Sequence, residues 1–128
     1  ITYDFGNEKS IFVTADNFRI TQVMSNLVVN SLNYGVENGT TEIVTKNLSK
    51  EKILVRVIDN GQGISEEDLP RIFERFYRVD KTRNRQEGGS GLGLAIVKHI
   101  VEAHNEIVYV ESSLNVGSEF SFTLTKSN

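Results

Sequence analysis

Residues 86–104, QEGGSGLGLAIVKHIVEAH, set four glycines within six positions and then run into an apolar helical repeat. Glycine at that density weakens any packed element, so something must need bare backbone there. Six of the fourteen basic residues (Arg71, Arg75, Arg78, Lys81, Arg83, Arg85) fall in the fifteen positions just upstream. A helix start collects unpaired N–H groups and partial positive charge, and phosphate is its usual guest. A polyphosphate against residues 89–93 is the expectation. No Gly-Lys-Ser/Thr follows the glycines, so this is not a Walker loop. A basic loop, not a strand, precedes them, which excludes a dinucleotide fingerprint.

Two further clusters carry polar groups at telling places. Asn26, Asn30 and Asn33 share one helical stripe, flanked by Val29 on one side and by Val23 and Leu27 on the other. Such a stripe is either a solvated face or the lining of a cavity. Ile53, Val55 and Val57 alternate toward one face of a strand, and period two places Asp59 next on that core side. A carboxylate there is costly unless something donates to it. The following Asn60-Gly61-Gln62-Gly63 contains a tight-turn signal. Asp59 therefore either caps local backbone amides or accepts from a ligand amine, with Gly61 and Gly63 letting a flat ring approach. In RIFERFYR (71–78), Phe73 and Phe76 read as core, and Arg78 opens the basic loop.

The elements that must position these groups follow from periodicity. Strands are expected over 1–5 and 11–14, and a helix capped by Asp16 over the stretch to Tyr34. A hairpin joins 41–48 to 52–59. Ser65 with Glu66, Glu67 and Asp68 resembles a capping box that opens a short helix to Tyr77. Residues 79–90 read as a mobile loop, 91–104 as a helix, and 107–113 with 119–125 as a second hairpin turning at 115–118. The result is a helix layer on one face of a mostly antiparallel sheet.

Composition bounds the class. At 128 residues, 38% hydrophobic and 24% charged, the chain is of a size for one domain and one core. A net charge of −3 offers no overall attraction to nucleic acid or an anionic membrane. Cysteine is absent, which excludes disulfides and thiolate metal sites and fits a reducing compartment. No apolar run approaches the ~20 residues of a membrane span. The abrupt, strand-like opening Ile1-Thr2-Tyr3-Asp4-Phe5 suggests a piece of a longer protein.

Taken in order, the clusters resemble the sensor histidine kinase ATP-binding domain over Thr14 to Leu124. NLVVNSLNY is similar to its asparagine box, DNGQGI to its first glycine box and FERFYR to its phenylalanine box. GSGLGLAIVKHIVEAH matches its second glycine box, and GSEFSFTL its closing strand. The resemblance implies a two-layer α/β sandwich of the Bergerat type, with a mixed, mostly antiparallel sheet of about five strands on about three helices. It implies ATP and Mg²⁺ as cofactors. Asn30 would hold Mg²⁺, with Asn26 facing the phosphates beside it. Tyr34 would lie against the adenine, Asp59 would accept from its amine, and Gly61 and Gly63 would shape the floor. Arg78 would reach the γ-phosphate. Gly89, Gly91 and Gly93 would give the lid, 79–90, its hinge and the phosphates their amides. Asn33, Ile64, Tyr77, Ser90 and Leu92 complete the nucleotide positions by the same match. Asn30 and Arg78 would serve phosphoryl transfer, where positioning, metal and cationic donors do most of the work.

Two positions depart from the family. Asn33 stands where Lys is frequent, so one phosphate contact is missing or comes from Arg83 or Arg85. Asn105-Glu106 follows His104 where Gly-Gly is common, which bears on the helix stop. No His-Glu-Leu-Arg-type acceptor motif occurs, and both histidines, His99 and His104, lie in the second-glycine-box helix. The implied partners are therefore a phosphoacceptor helical domain of the same dimeric kinase and a response regulator receiver. Nucleic acid and direct membrane contact are not expected, and the isolated domain should be a monomer. The implied parent is a membrane-anchored sensor with this domain in the cytoplasm. Gyrase-type, mismatch-repair and heat-shock ATPases share the fold, but the phenylalanine box and the short basic lid speak against them. A regulatory module without transfer is the other alternative, opposed by Asn30 and Arg78.

Overall fold

The computed structural model describes residues 2–4, 11–36, 38–77 and 92–127. The basic segment 79–90 lies outside the described residues, and with it Arg78, Gly89, Ser90 and Gly91. Six strands form one sheet: β1 (Thr2–Asp4), β2 (Val13–Thr14), β3 (Thr41–Asn47), β4 (Lys52–Asp59), β5 (Val108–Ser113) and β6 (Gly117–Lys126). Among the described residues the α-helices are α1 (Asn17–Asn33) and α2 (Gly93–Ala103).

The sheet order is β1-β3-β4-β6-β2, with β5 also paired to β6. Among the described residues only the β1–β3 pair is parallel. Strand β6 organises the sheet. It pairs with β4 from Lys52↔Thr125 to Asp59↔Ser118, and its other edge takes β5 and then β2. The alternation read in the sequence holds: Ile53, Val55 and Val57 are buried, as are Phe120, Phe122 and Leu124 across from them. Both helices cover that face. Val23 and Leu27 of α1 and Val97, Ile100 and Val101 of α2 complete one core. Leu27 has no exposed surface, so truncation to Ala would cost about 2–5 kcal/mol. The expected α/β sandwich is thus the observed fold, with six strands.

The helix ends are explained locally. Asp16 caps α1 by accepting the Arg19 N–H through Oδ1 at 3.0 Å. At the end of α2, Asn105 adopts the left-handed conformation, φ 59. Its N–H donates to the Glu102 carbonyl and that of Glu106 to the Val101 carbonyl. That is a Schellman stop with asparagine in glycine's usual place. Glu106 then turns inward. Its Oε1 accepts from Lys52 Nζ and Thr123 Oγ1, both at 2.7 Å, and its Oε2 from Thr125 Oγ1 at 2.9 Å.

The helix expected over 65–77 does not form. Ser65 does cap, exchanging hydrogen bonds with Asp68, but only a 3₁₀ turn at Leu69–Arg71 follows. Past Pro70 the bonds run i to i+3, as from Glu74 N to the Arg71 carbonyl, and Phe76 takes φ 67, which no α-helix accommodates. Phe76, expected in the core, is exposed. The second hairpin turns at 114–116, earlier than expected, because Gly117 already lies in β6. With φ 144 and a Cβ position 2.0 Å from the Asp59 carbonyl oxygen, Gly117 packs where no side chain fits.

Candidate functional site

A cleft of about 620 Å³, its mouth included, opens where the end of α1 meets the end of β4. At its base Asp59 uses Oδ1 to accept the N–H of Gly61 at 2.9 Å and of Ser118 at 3.3 Å. Its Oδ2 has no hydrogen-bond partner among the described residues. The two sequence alternatives for Asp59 are thus compatible: one oxygen holds the turn, and the other remains for a donor in the cleft that Asp59 lines. Both turn glycines are demanded by packing. A Cβ on Gly61 would meet the Tyr34 carbonyl oxygen at 2.5 Å, and one on Gly63 the Ser113 carbonyl oxygen at 2.0 Å. Gly63 lines the cleft, whereas Gly61 is buried outside its lining.

Helix α1 supplies the opposite wall through Asn30 and, one turn on, Tyr34. The Asn30 carboxamide makes no hydrogen bond to the described residues, so it is available to a ligand. Asn26 takes a different part: its Nδ2 donates to the Gly93 carbonyl at 3.3 Å, tying α1 to the first residue of α2. Asn33 is exposed and does not line the cleft. The stripe therefore divides, with only its middle member on the cavity.

Ile64 and Tyr77 line the third side. The Tyr77 hydroxyl donates to Asp68, and the Arg71 guanidinium lies 4.5 Å from the ring centroid. The bond to Asp68, reinforced by desolvation, holds the phenol above its ordinary ionisation range. Leu92, just before α2, faces a separate groove that also contains His99. At Gly93 a Cβ would touch nothing within 4 Å. Among the described residues, no side chain caps the α2 N-terminus. Here, unlike at Gly61 and Gly63, the packing of the described residues does not demand glycine.

Sequence reasoning missed Gln62, Ile72, Leu94 and Ser118, all of which line the cleft. The signal for Ser118 was present: it opens the closing strand and pairs across the sheet with Asp59. Among the described residues no three His, Cys, Asp or Glu side chains group to hold a metal ion.

Over residues 15–128 the chain matches the family described as histidine kinase-, DNA gyrase B-, and HSP90-like ATPase. The chain belongs to this ATPase family. Within the family it is similar to sensor histidine kinase WalK of Bacillus subtilis (strain 168). The two are 41% identical over 118 residues, which is 91% of this chain and 19% of the Bacillus protein. Sensor protein kinase WalK of Staphylococcus aureus is 42% identical over the same share of the chain and 28% of its own length. The chain thus spans well under a third of these relatives. The catalytic domain of the histidine kinase ThkA, solved free of nucleotide, superposes with a TM-score of 0.80 at 32% identity. That match covers 98% of this chain and 77% of the ThkA domain. Full-length ShkA in complex with AMPPNP superposes with a TM-score of 0.81 at 26% identity, over 98% of this chain and 26% of ShkA. The chain is thus of the histidine kinase catalytic-domain type within this ATPase family.

Proposed function

We propose that this chain binds Mg²⁺-ATP in the α1–β4 cleft and passes the γ-phosphate to a histidine on a separate dimerising helical domain, from which a response regulator receiver takes it. The observation that carries the reading is the pairing of two unengaged groups on one cavity: Asp59 Oδ2 at its base and the Asn30 carboxamide on its wall. Asp59 accepts from the adenine amine, with the Tyr34 ring alongside. The α2 N-terminus, uncapped by any side chain among the described residues, offers backbone N–H groups to the phosphates. The AMPPNP complex of ShkA and the kinase names of the relatives support the same reading.

The donor set fits Mg²⁺. The Asn30 amide oxygen is a hard ligand, and Mg²⁺ in phosphate sites needs only one or two protein groups. When bound, the ion supplies charge neutralisation on the phosphates. Neither histidine lines the cleft, and His99 faces a different groove. The acceptor therefore comes from outside this chain, from helices of a dimeric, membrane-anchored parent that keeps this domain in the cytoplasm.

Radiolabelled ATP tests the reading. The chain alone should carry no acid-labile label, whereas adding the cognate acceptor helices should give stoichiometric label on them. Calorimetry should show Mg²⁺-dependent ADP binding that Asn30→Ala weakens. ATP hydrolysis without transfer would favour a gyrase- or chaperone-type ATPase. Nucleotide binding with neither activity would favour a regulatory module.

A further inference from the structure

Ser112, on β5 behind the cleft, has every hydrogen-bonding position of its hydroxyl filled. Its Oγ accepts the Ile64 N–H at 2.7 Å and donates to the Gly117 carbonyl at 2.9 Å. Ser118 Oγ lies 2.7 Å away. A serine hydroxyl has one proton and two lone pairs. The Ser112 proton is committed to a carbonyl, which only accepts, so Ser118 is the donor in the third bond. Ser112 is then saturated, and Ser118 has used its one proton. Toward the cleft it lines, Ser118 presents lone pairs alone. Its cross-strand partner is Asp59, whose Oδ2 is also an acceptor. This wall therefore offers two acceptors side by side.

We propose that Ser112 determines the base selectivity of the site, by fixing the direction of the Ser118 hydroxyl so that the wall accepts a 6-amino purine and rejects a 6-oxo purine. The inference rests on reading the cleft as a nucleotide site. An exocyclic amine brings two N–H groups to two acceptors. A 6-oxo group in the same place sets its lone pairs against theirs, and buried acceptors facing an acceptor lose their partners. Released from Ser112, the Ser118 hydroxyl turns and donates to that oxygen.

The test titrates the chain, in Mg²⁺, with ADP and with inosine diphosphate, which carries oxygen and a ring N–H in place of the amine. Wild type should prefer ADP by tenfold or more, on the order of a lost buried hydrogen bond. In Ser112→Ala the preference should fall about tenfold through a gain in inosine diphosphate binding. Ser112→Thr keeps the hydroxyl and should keep the preference. Ser118→Ala should lower it, with Asp59 still facing the 6-oxo group, and Ser112→Ala should add nothing in that background. An equal loss for both nucleotides in Ser112→Ala makes Ser112 a packing residue and overturns the proposal. So does an unmoved ratio in Ser118→Ala, which also decides the matter should Ser112→Ala not fold. Wild-type protein that binds neither nucleotide removes the nucleotide reading itself, whereas ADP binding with unmoved ratios removes only the role of Ser112.

Discussion

His104 Nε2 accepts the backbone N–H of Asp16 at 3.0 Å across 88 positions of chain. An N–H only donates, so Nε2 bears the lone pair and the proton sits on Nδ1, 2.8 Å from the Ile100 carbonyl oxygen. The imidazole thereby ties the end of α2 to the cap of α1. His104→Ala removes this exposed bond and leaves the Asp16 N–H to water, and should cost about 0.5–1.5 kcal/mol in urea unfolding. ADP affinity should not change, because His104 lies at the far end of α2 from the cleft. A large affinity loss at unchanged stability would contradict this.

Asp59→Asn should fold and yet bind adenine nucleotide poorly. The two backbone N–H donors at Oδ1 keep the amide oxygen there, which turns the Nδ2 donor toward the ligand amine. Such a donor-to-donor mismatch costs about 1–3 kcal/mol, or tenfold to a hundredfold in affinity. Calorimetry with ADP and a thermal melt separate binding from folding. Wild-type affinity in Asp59→Asn would leave Asp59 a turn residue only.

Glu106 makes stability pH-dependent. Burial raises its ionisation range, but the stronger combined action of Lys52, Thr123 and Thr125 holds it below the ordinary carboxylate range. A folded value below the unfolded one stabilises fully above the unfolded range near pH ~4.3 and is lost as pH falls through the folded value. Glu106→Gln should cost about 1–3 kcal/mol at neutral pH. Urea midpoints for the two proteins should converge below pH ~4. A constant gap down to pH ~3 would show that the carboxylate charge contributes nothing.

Asn105 should tolerate glycine and resist alanine. The left-handed conformation costs a Cβ-bearing residue roughly 1–2 kcal/mol, which asparagine offsets in part through its side chain. Denaturant midpoints should be unchanged or higher for Asn105→Gly and lower for Asn105→Ala. The reverse order would mean that the asparagine side chain has a task of its own.

Where the chain obeys a period, the sequence was legible. Val55 and Val57 marked the buried side of β4, and of the two apolar flanks read on α1, that of Val23 and Leu27 is buried whereas Val29 is half exposed. Asp59 was legible as a cleft residue because a carboxylate continuing an apolar face needs a reason, and Asn30 because its polar stripe runs between apolar flanks. The segment after Ser65 was not, since i to i+3 bonding and a positive φ at Phe76 outweigh a sound capping signal. Asn26 and Asn33 share the Asn30 stripe, but only the packed position of α2 decides which of the three reaches the cavity. Ser112 was invisible for a related reason. Its partner Ile64 is 48 positions away, and no local pattern distinguishes it from any other strand serine.

Strand β6 follows in the chain every strand it joins. During synthesis, β3 and β4 emerge as a hairpin with an apolar face, and the open edge of β4 waits for a partner more than fifty residues downstream. Lys52 meets Thr125 only after 73 further positions have been made. Pairing at that separation is slow, and an unpaired edge is open to other chains. On a translating ribosome the α1–β4 cleft is thus completed late, because Ser118 closes the wall that Asp59 begins.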